Sequence, residues 1–378
     1  MLAAVRACTF SAALQLVQDG RPMAFDSIVR DGIARSAFPG AALVVGRRDT
    51  LLVSRGYGRL LWAANGATVR ADSTLYDLAS LTKVVATTTA LMLLLERGKV
   101  SLDAPVSRYL PEVTGAPAVT IRQLLNHTSG LRGTLPLHRA AADRAAALAL
   151  VFAETTIVAP GSQVIYSDLN AILVGEVVAR AAGEPLEAFV TREVLVPLGL
   201  QQTLFRPPAR LRPRIAPTGV WRNTPVAGVV NDPNAAKLGG VAGHAGLFGT
   251  ATDLARFAQF MLAGGVTADG TRLLRAETVR LFTTISVPAR RGHSARALGW
   301  QALPTDEDVS SAGTLFGPAT YGHTGWTGTS LWIDPARDVF VVLLTNRAYA
   351  PRTRRSFTAL KEVRSGLADA AARAVDAH

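Results

Sequence analysis

The chain contains few of the residues that build disulfides and metal sites. It has one cysteine, Cys8, which excludes an intramolecular disulfide and a cysteine-based metal cluster. Its six histidines are scattered and no His-Glu-x-x-His motif is present, so we expect no metal site and no cofactor. A Gly-x-Ser-x-Gly motif is also missing, which argues against the α/β-hydrolase fold.

Long apolar runs are missing as well. The longest, residues 84–95, has 12 residues and includes three threonines, so it is too short to span a bilayer. The first 14 residues are mildly apolar, but Arg6 interrupts them and no basic segment precedes it, which is a poor match to a signal peptide. We therefore expect a cytoplasmic protein without a transmembrane span.

Lysine is scarce, whereas arginine is abundant. Four of the 40 basic residues are lysine, and the formal net charge is +12. Such a charge would ordinarily suggest nucleic acid or a membrane surface as a partner. Here the arginines are spread along the chain without a nucleic-acid-binding motif, as a biased genome composition would produce. We expect no nucleic-acid partner, and the sequence does not indicate an oligomeric state.

Hydrophobic periodicity predicts strands near both ends of the chain and helices in its middle. The predicted strands are residues 41–46, 51–58, 328–333 and 339–345. The main predicted helices are residues 22–37, 80–95, 139–153, 169–182, 253–262 and 356–376. A capping box formed by Thr120 and Gln123 marks the start of a further short helix.

This order predicts an α+β fold, an α/β sandwich in which helices flank an antiparallel β-sheet built from both ends of the chain. A mainly helical domain is inserted between the two ends. We assign residues 22–85 and 235–378 to the sheet domain, residues 86–234 to the inserted domain and residues 1–21 to an N-terminal extension.

The segment from Tyr76 to Lys83 carries the strongest functional signal. Ser80 and Lys83 lie three residues apart at the start of a predicted core helix, so they share one face of its first turn. A hydroxyl beside an amine is a recurring arrangement for an activated serine nucleophile. The helix dipole and burial both disfavour a charged ammonium, so we expect the Lys83 amine to lose its proton readily.

Two later motifs could complete such a site. Tyr166-Ser167-Asp168 follows a turn and precedes a predicted helix, so its tyrosine can project from a loop. His323-Thr324-Gly325-Trp326-Thr327-Gly328 directly precedes a predicted strand, and its glycines allow a ligand to approach the backbone closely. In their order and spacing the three motifs resemble those of the penicillin-recognising serine hydrolases, closest to class C β-lactamases and family VIII carboxylesterases. The resemblance covers about residues 25–350.

The resemblance implies a β-lactamase/transpeptidase-like fold and a role for each motif residue. The residues implied in catalysis are Ser80, Lys83, Tyr166 and His323. Ser80 would form an acyl-enzyme, and Lys83 and Tyr166 would share the general acid and base roles. The backbone N–H groups of Ser80 and Trp326 would form the oxyanion hole. The residues implied in substrate binding are Asp168, Thr324 and Gly325. We interpret His127 and His244 as structural.

Two positions depart from the β-lactamase pattern. His323 stands where β-lactamases have lysine, which weakens recognition of a substrate carboxylate. Asp168 stands where they have asparagine, which removes an amide donor for the substrate. An aspartate near Lys83 would also favour the charged form of the lysine, and this shifts the expected general base toward Tyr166.

We therefore expect a serine hydrolase that acts on small-molecule carboxylic esters, with weak or no β-lactam hydrolysis. One alternative is a D-aminoacyl (D-Ala-D-Ala type) peptidase or a class C-like β-lactamase acting on an amide. It would require another cation for the substrate carboxylate, and the densest cluster of basic residues is 206–214, with four arginines. A second alternative is a non-catalytic peptidoglycan-binding or regulatory module. Retention of Ser80, Lys83 and Tyr166 argues against it.

Overall fold

The structure is a computed structural model that describes residues 22–222, 224–306, 310–349 and 357–377. Its strands are β1 (Gly40–Gly46), β2 (Leu51–Gly58), β3 (Tyr76–Asp77), β4 (Leu204–Phe205), β5 (Gly219–Trp221), β6 (Thr224–Val226), β7 (Leu247–Gly249), β8 (Gln301–Ala302), β9 (Tyr321–Thr324), β10 (Ser330–Asp334) and β11 (Val339–Thr345). The largest sheet is antiparallel, with the order β2-β1-β11-β10-β9-β8. Two small sheets, β3-β7-β4 and β5-β6, complete the set in the described residues.

The α-helices are α1 (Pro22–Ala34), α2 (Thr89–Glu96), α3 (Ile121–Leu125), α4 (Leu137–Ala140), α5 (Arg144–Ala153), α6 (Asp168–Ala182), α7 (Leu186–Val190), α8 (Pro233–Lys237), α9 (Ala251–Leu262), α10 (Ala276–Thr283) and α11 (Phe357–Asp376). A π-helical segment, Lys83–Thr88, directly precedes α2, and a second one, Thr191–Leu195, directly follows α7. Short 3₁₀ turns lie at Val106–Arg108, Ala209–Arg214 and Arg347–Tyr349. No helix among the described residues is long and apolar enough to cross a membrane.

Strand β1 is central because both of its faces are buried. Successive side chains of a strand point to opposite faces. Leu43 and Val45 therefore join the apolar core beneath α1 and α11, whereas Ala42 and Val44 join the larger core on the other face. The sheet is thus sandwiched between helical layers, as an α/β sandwich requires.

Short strand pairings bring the motifs together from distant parts of the chain. Strand β3 pairs with β7, with Asp77 opposite Phe248, so the segment after β3 lies beside the segment before β7. Strand β9 pairs with β10, with His323 opposite Leu331. Helix α6 starts at Asp168, because the Ser167 hydroxyl caps it by accepting from the Asn170 N–H. The candidate site therefore lies between the β9 side of the sheet and the helical region.

The predicted fold class is confirmed, as are the β1–β2 hairpin and the capping box at Thr120 and Gln123. The assignment of the sheet and inserted domains stays a prediction, and the extension at residues 1–21, with Cys8, lies outside the described residues. The helix predicted over residues 139–153 is wrong in one respect, since it is two helices interrupted at residues 141–143. His323 lies within a strand rather than before one, because strand β9 extends the sheet beyond the predicted pair.

Candidate active site

Ser80 lies in a turn between strand β3 and the first π-helical segment. The turn is closed by hydrogen bonds from Thr82 N to Ala79 O and from Lys83 N to Ser80 O, both 3.0 Å long. Ala79 has a φ of 47°, a left-handed conformation that costs free energy in a residue with a Cβ. The Asp77 carboxylate supports this turn, because its Oδ1 accepts from the Ala79 N–H at 2.9 Å.

The helix that carries Lys83 starts as a π-helix, where the sequence predicts an α-helix from Ser80. The π segment Lys83–Thr88 is lined by β-branched residues, and its wider turn lets the Thr89 hydroxyl donate to the Val84 carbonyl at 2.9 Å. Thr87 donates to the Gly243 carbonyl at 2.8 Å, which holds the segment before β7 against the π turn. Tertiary contacts therefore stabilise a local geometry that helix propensity does not predict.

Lys83 is buried and makes three hydrogen bonds. Its Nζ donates to Ser80 Oγ at 3.0 Å, to Asp168 Oδ1 at 2.8 Å and to the His244 carbonyl at 3.2 Å. Burial lowers the pKa of Lys83, but the charges of Asp168 and Tyr166 and their hydrogen bonds outweigh burial, so the net pKa is raised. The expectation that this amine loses its proton readily is therefore wrong, whereas the expectation that a nearby Asp168 favours the charged lysine is confirmed.

Tyr166 lies at the centre of the cluster. Its ring centroid is 5.1 Å from Lys83 Nζ, 4.7 Å from the His127 ring and 5.9 Å from the His323 ring. The side chain is about one-third exposed, so it can meet a substrate. His127, buried beside it, accepts from the Ser167 N–H through Nδ1 at 3.1 Å, which fixes the loop that carries the tyrosine.

His323 is buried and neutral. Its Nδ1–H donates to the Thr324 carbonyl at 2.8 Å, which leaves Nε2 as the acceptor. Burial, with the charges of Lys83 and Arg296, lowers the pKa of His323 to about 3. Nε2 has no hydrogen-bond partner among the described residues. His323 can therefore accept a hydrogen bond, but it does not supply the positive charge that a lysine would.

The turn after β9 is tied to the Ser80 turn by hydroxyl groups. Thr327 donates to the Asp77 carbonyl at 2.7 Å and Thr329 donates to the Leu78 carbonyl at 3.0 Å. A Cβ on Gly325 would lie 2.1 Å from Thr329 Oγ1 and 2.7 Å from the Leu78 carbonyl, so a glycine is needed where the two turns meet.

The geometry is compatible with the expected oxyanion hole. Within the part of the chain that the structure describes, the N–H groups of Ser80 and Trp326 donate to no protein acceptor. Two such donors on adjoining turns could bind a developing oxyanion. The Trp326 indole is 60% exposed at this edge, and Arg347 supports the residue by donating to its carbonyl at 2.7 Å.

Three residues beside the cluster were not among the predicted site residues. The Arg296 guanidinium carbon lies 5.3 Å from the Tyr166 ring centroid, and its charge lowers the pKa of both His127 and His323. Asp232 and His244 each place one donor atom within 4.8 Å of one another and of Asp168, an arrangement that could hold a cation. No local motif marks Arg296, whereas His244 lies in the glycine-rich turn at residues 242–250, a pattern that indicates a structural role.

The chain matches the family model described as Beta-lactamase over residues 25–364. A relative from Escherichia coli (strain K12), named "Putative D-alanyl-D-alanine carboxypeptidase", is 36% identical over 74% of this chain and 70% of the relative. The solved structure of "EstCE1, a hydrolase with promiscuous acyltransferase activity" has a TM-score of 0.74 at 23% identity, covering 92% of this chain and 98% of that chain. A class C beta-lactamase has a TM-score of 0.71 at 21% identity, covering 90% and 94%. At such identities the two structures establish similarity of fold alone.

Proposed function

The chain belongs to the Beta-lactamase family of serine hydrolases, and on this premise we propose that it is a carboxypeptidase that removes the C-terminal residue from D-alanyl-D-alanine-type peptides. The observation that carries the proposal is Arg296, whose guanidinium lies against the Tyr166 ring. A C-terminal peptide substrate carries a carboxylate, and a planar guanidinium binds a carboxylate through two hydrogen bonds. The E. coli relative's name supports the same substrate class.

Arg296 weakens the expectation that the substrate is a neutral carboxylic ester. The preference for neutral esters depended on His323, which lacks the charge of the family lysine. In the structure an arginine 27 residues earlier in the chain supplies a cation beside the same ring cluster. Within residues 206–214, Arg206 pairs with Glu187 and Arg214 donates to the Ser73 carbonyl at 2.9 Å.

The proposed reaction uses an acyl-enzyme. Ser80 Oγ attacks the peptide carbonyl, a Ser80 O–C bond forms, and the C–N bond to the terminal residue then breaks. Tyr166 relays the Ser80 proton to the leaving amine, and the Lys83 ammonium lies beside it, 5.1 Å from the tyrosine ring centroid. The N–H groups of Ser80 and Trp326 bind the oxyanion. Water then attacks the acyl-enzyme, releasing the shortened peptide and restoring the Ser80 hydroxyl.

A carboxylesterase is the second candidate, because an apolar surface borders the site. The exposed Trp326 indole packs 5.2 Å from the Phe357 ring, measured between ring centroids. Such a surface suits an apolar acyl group without a carboxylate. The non-catalytic alternative predicts that Ser80 does not react at all.

One experiment separates these candidates. We would incubate wild type and Ser80→Ala with an N-acyl-D-alanyl-D-alanine peptide and with p-nitrophenyl butyrate, measuring D-alanine and nitrophenol release. Peptide cleavage that Ser80→Ala abolishes supports the carboxypeptidase, whereas Ser80-dependent turnover of the ester alone favours the esterase. Failure of a fluorophosphonate to label wild-type Ser80 would contradict both and favour a binding module.

A further inference from the structure

His127 is a buried residue beside the site that the proposed reaction does not use. Its backbone has a φ of 60°, a left-handed conformation that is uncommon for residues other than glycine. Such a conformation costs free energy and persists only where the surrounding contacts hold it. Two of the hydrogen bonds that His127 accepts come from the loop that carries Tyr166.

These two hydrogen bonds lie on either side of Tyr166. The Ile165 N–H donates to the His127 carbonyl at 2.9 Å, and the Ser167 N–H donates to His127 Nδ1 at 3.1 Å. One residue therefore holds the backbone immediately before and immediately after the tyrosine. The imidazole ring also lies against the tyrosine ring, with 4.7 Å between the two ring centroids.

A buried side-chain network identifies His127 Nδ1 as an acceptor. The Ser129 hydroxyl donates to Asn170 Oδ1 at 2.6 Å, and the Asn170 amide nitrogen lies 3.4 Å from His127 Nδ1. Two donors, this amide and the Ser167 N–H, therefore meet one imidazole nitrogen, and the ring proton lies on Nε2. Because a buried donor without a partner costs free energy, the loop depends on an acceptor at this point.

The segment that begins with His127 also holds the start of helix α6. The Asp168 N–H donates to the Gly133 carbonyl at 2.8 Å, and the Asp168 carboxylate in turn accepts from Lys83 Nζ. Residues 127–133 therefore fix the backbone of two neighbouring residues of the candidate site. Within this segment, the first residue is the one whose ring packs against Tyr166.

From these contacts we infer that His127 is a positioning residue of the Ser80 site, which holds the Tyr166 ring in place through the backbone on both sides of it. The inference deepens the proposed function and rests on it insofar as Ser80 and Tyr166 carry out the chemistry. A catalytic group misplaced by about 1 Å can lower a rate about 100-fold. His127 therefore affects the rate without contacting the substrate, a role beyond the structural one that the sequence indicates.

Asparagine and glycine at position 127 separate the acceptor from the ring. Both residues tolerate a positive φ, so the backbone can keep its conformation. Asparagine has Oδ1 bonded to Cγ, where histidine has Nδ1, so His127→Asn keeps the acceptor and loses the ring. His127→Gly loses both. We expect Ser80 labelling by a fluorophosphonate to slow less than about 3-fold in His127→Asn and about 100-fold in His127→Gly.

A double-mutant cycle with Tyr166→Phe tests whether His127 acts through the tyrosine. The phenylalanine variant lacks the hydroxyl that is to be positioned, so adding His127→Gly to it should slow labelling by less than about 3-fold further. A residue with a purely structural role would slow labelling by the same factor in both backgrounds. Excess reagent and extended incubation keep the slow variants measurable.

Ser36→Gly is the matched control, because Ser36 also has a positive φ, 58°, but lies in the connection between α1 and β1. Its labelling rate should equal that of wild type. Far-UV circular dichroism and thermal unfolding establish that each variant is folded. His127→Gln serves as a second variant if the glycine variant does not fold. Its amide lies one bond farther from the backbone and so does not replace Nδ1, and the loss should be similar.

The outcomes separate this inference from the proposed function. Retained labelling in His127→Asn, together with a glycine effect that disappears in Tyr166→Phe, supports the inference. Labelling of His127→Gly at the wild-type rate, equal losses in the asparagine and glycine variants, or an equal loss in both backgrounds overturns it. A wild type that labels but does not release D-alanine contradicts the carboxypeptidase proposal alone, whereas a wild type that is not labelled overturns both.

Discussion

Replacing Arg296 by methionine tests the carboxypeptidase proposal most directly. The arginine is half-buried, and its guanidinium lies 5.3 Å from the Tyr166 ring centroid. A carboxylate at about 4 Å from such a cation gains about 4 kcal/mol at an effective dielectric constant of about 20. Desolvation of the two charges offsets much of this gain, and a hydrogen bond to a charged group contributes about 2 kcal/mol net. We therefore expect kcat/KM for a D-alanyl-D-alanine peptide to fall about 30-fold in Arg296→Met.

The assay compares two substrates that differ only in the charge that Arg296 is proposed to bind. One is an N-acyl-D-alanyl-D-alanine and the other is its C-terminal amide, and the rate of appearance of the released residue is measured for each. Cleavage of the amide should fall by less than about 3-fold, because the neutral substrate lacks the carboxylate. Arg296→Lys keeps the charge but not the planar fork, so its loss should be intermediate.

A matched control separates loss of binding from general damage to the loop. Arg291→Met removes an exposed arginine from the same loop and should leave both substrates unaffected. Equal losses on the acid and the amide in Arg296→Met would refute the reasoning. They would mean that the arginine supports the Tyr166 ring by packing and does not recognise a carboxylate, and the esterase candidate would then take precedence.

Three further predictions concern the turns around Ser80. Gly325→Ala would place a methyl group 2.1 Å from Thr329 Oγ1, so kcat should fall about 100-fold because the oxyanion donors are displaced. Gly219→Ala is the control, since a Cβ there meets open space, and it should not change kcat. Equal activities of the two variants would contradict this account. Trp326→Ala should reduce hydrolysis of p-nitrophenyl octanoate about 10-fold more than that of the acetate, and a loss independent of chain length would rule out an apolar subsite at the indole. Burial raises the pKa of Asp77 from 3.8 to about 6, so its charge destabilises the folded state above about pH 6, and this cost disappears as the pH falls toward 4. Urea unfolding should show wild type gaining about 2 kcal/mol relative to Asp77→Asn between pH 8 and pH 4, and a constant difference would exclude this titration.

Part of the geometry of the candidate site was predictable because it depends on short-range spacing. Ser80 and Lys83 lie three residues apart on one turn, so their side chains are within reach of each other, and Lys83 Nζ lies 3.0 Å from Ser80 Oγ. The β1–β2 hairpin and the capping box at Thr120 are likewise set by residues a few positions apart. The family resemblance then indicated that Tyr166 and His323 would join them, and both rings lie in the cluster.

The pKa of Lys83 and the cation that would bind a substrate carboxylate could not be predicted from spacing, because they depend on groups that are far apart in sequence. The sequence alone determined the Ser-x-x-Lys motif, the family and the α+β architecture, since each follows from local periodicity or motif spacing. The tertiary structure decided between two opposite expectations for the lysine pKa, since Asp168 lies 2.8 Å from Lys83 Nζ and its effect outweighs that of burial. The fold likewise brought Arg296 from a loop without a motif to the Tyr166 ring. The pKa of a side chain depends on every charge within a few ångströms, and so does the presence of a cation that can bind a substrate. Strand pairing and helix packing decide which charges those are.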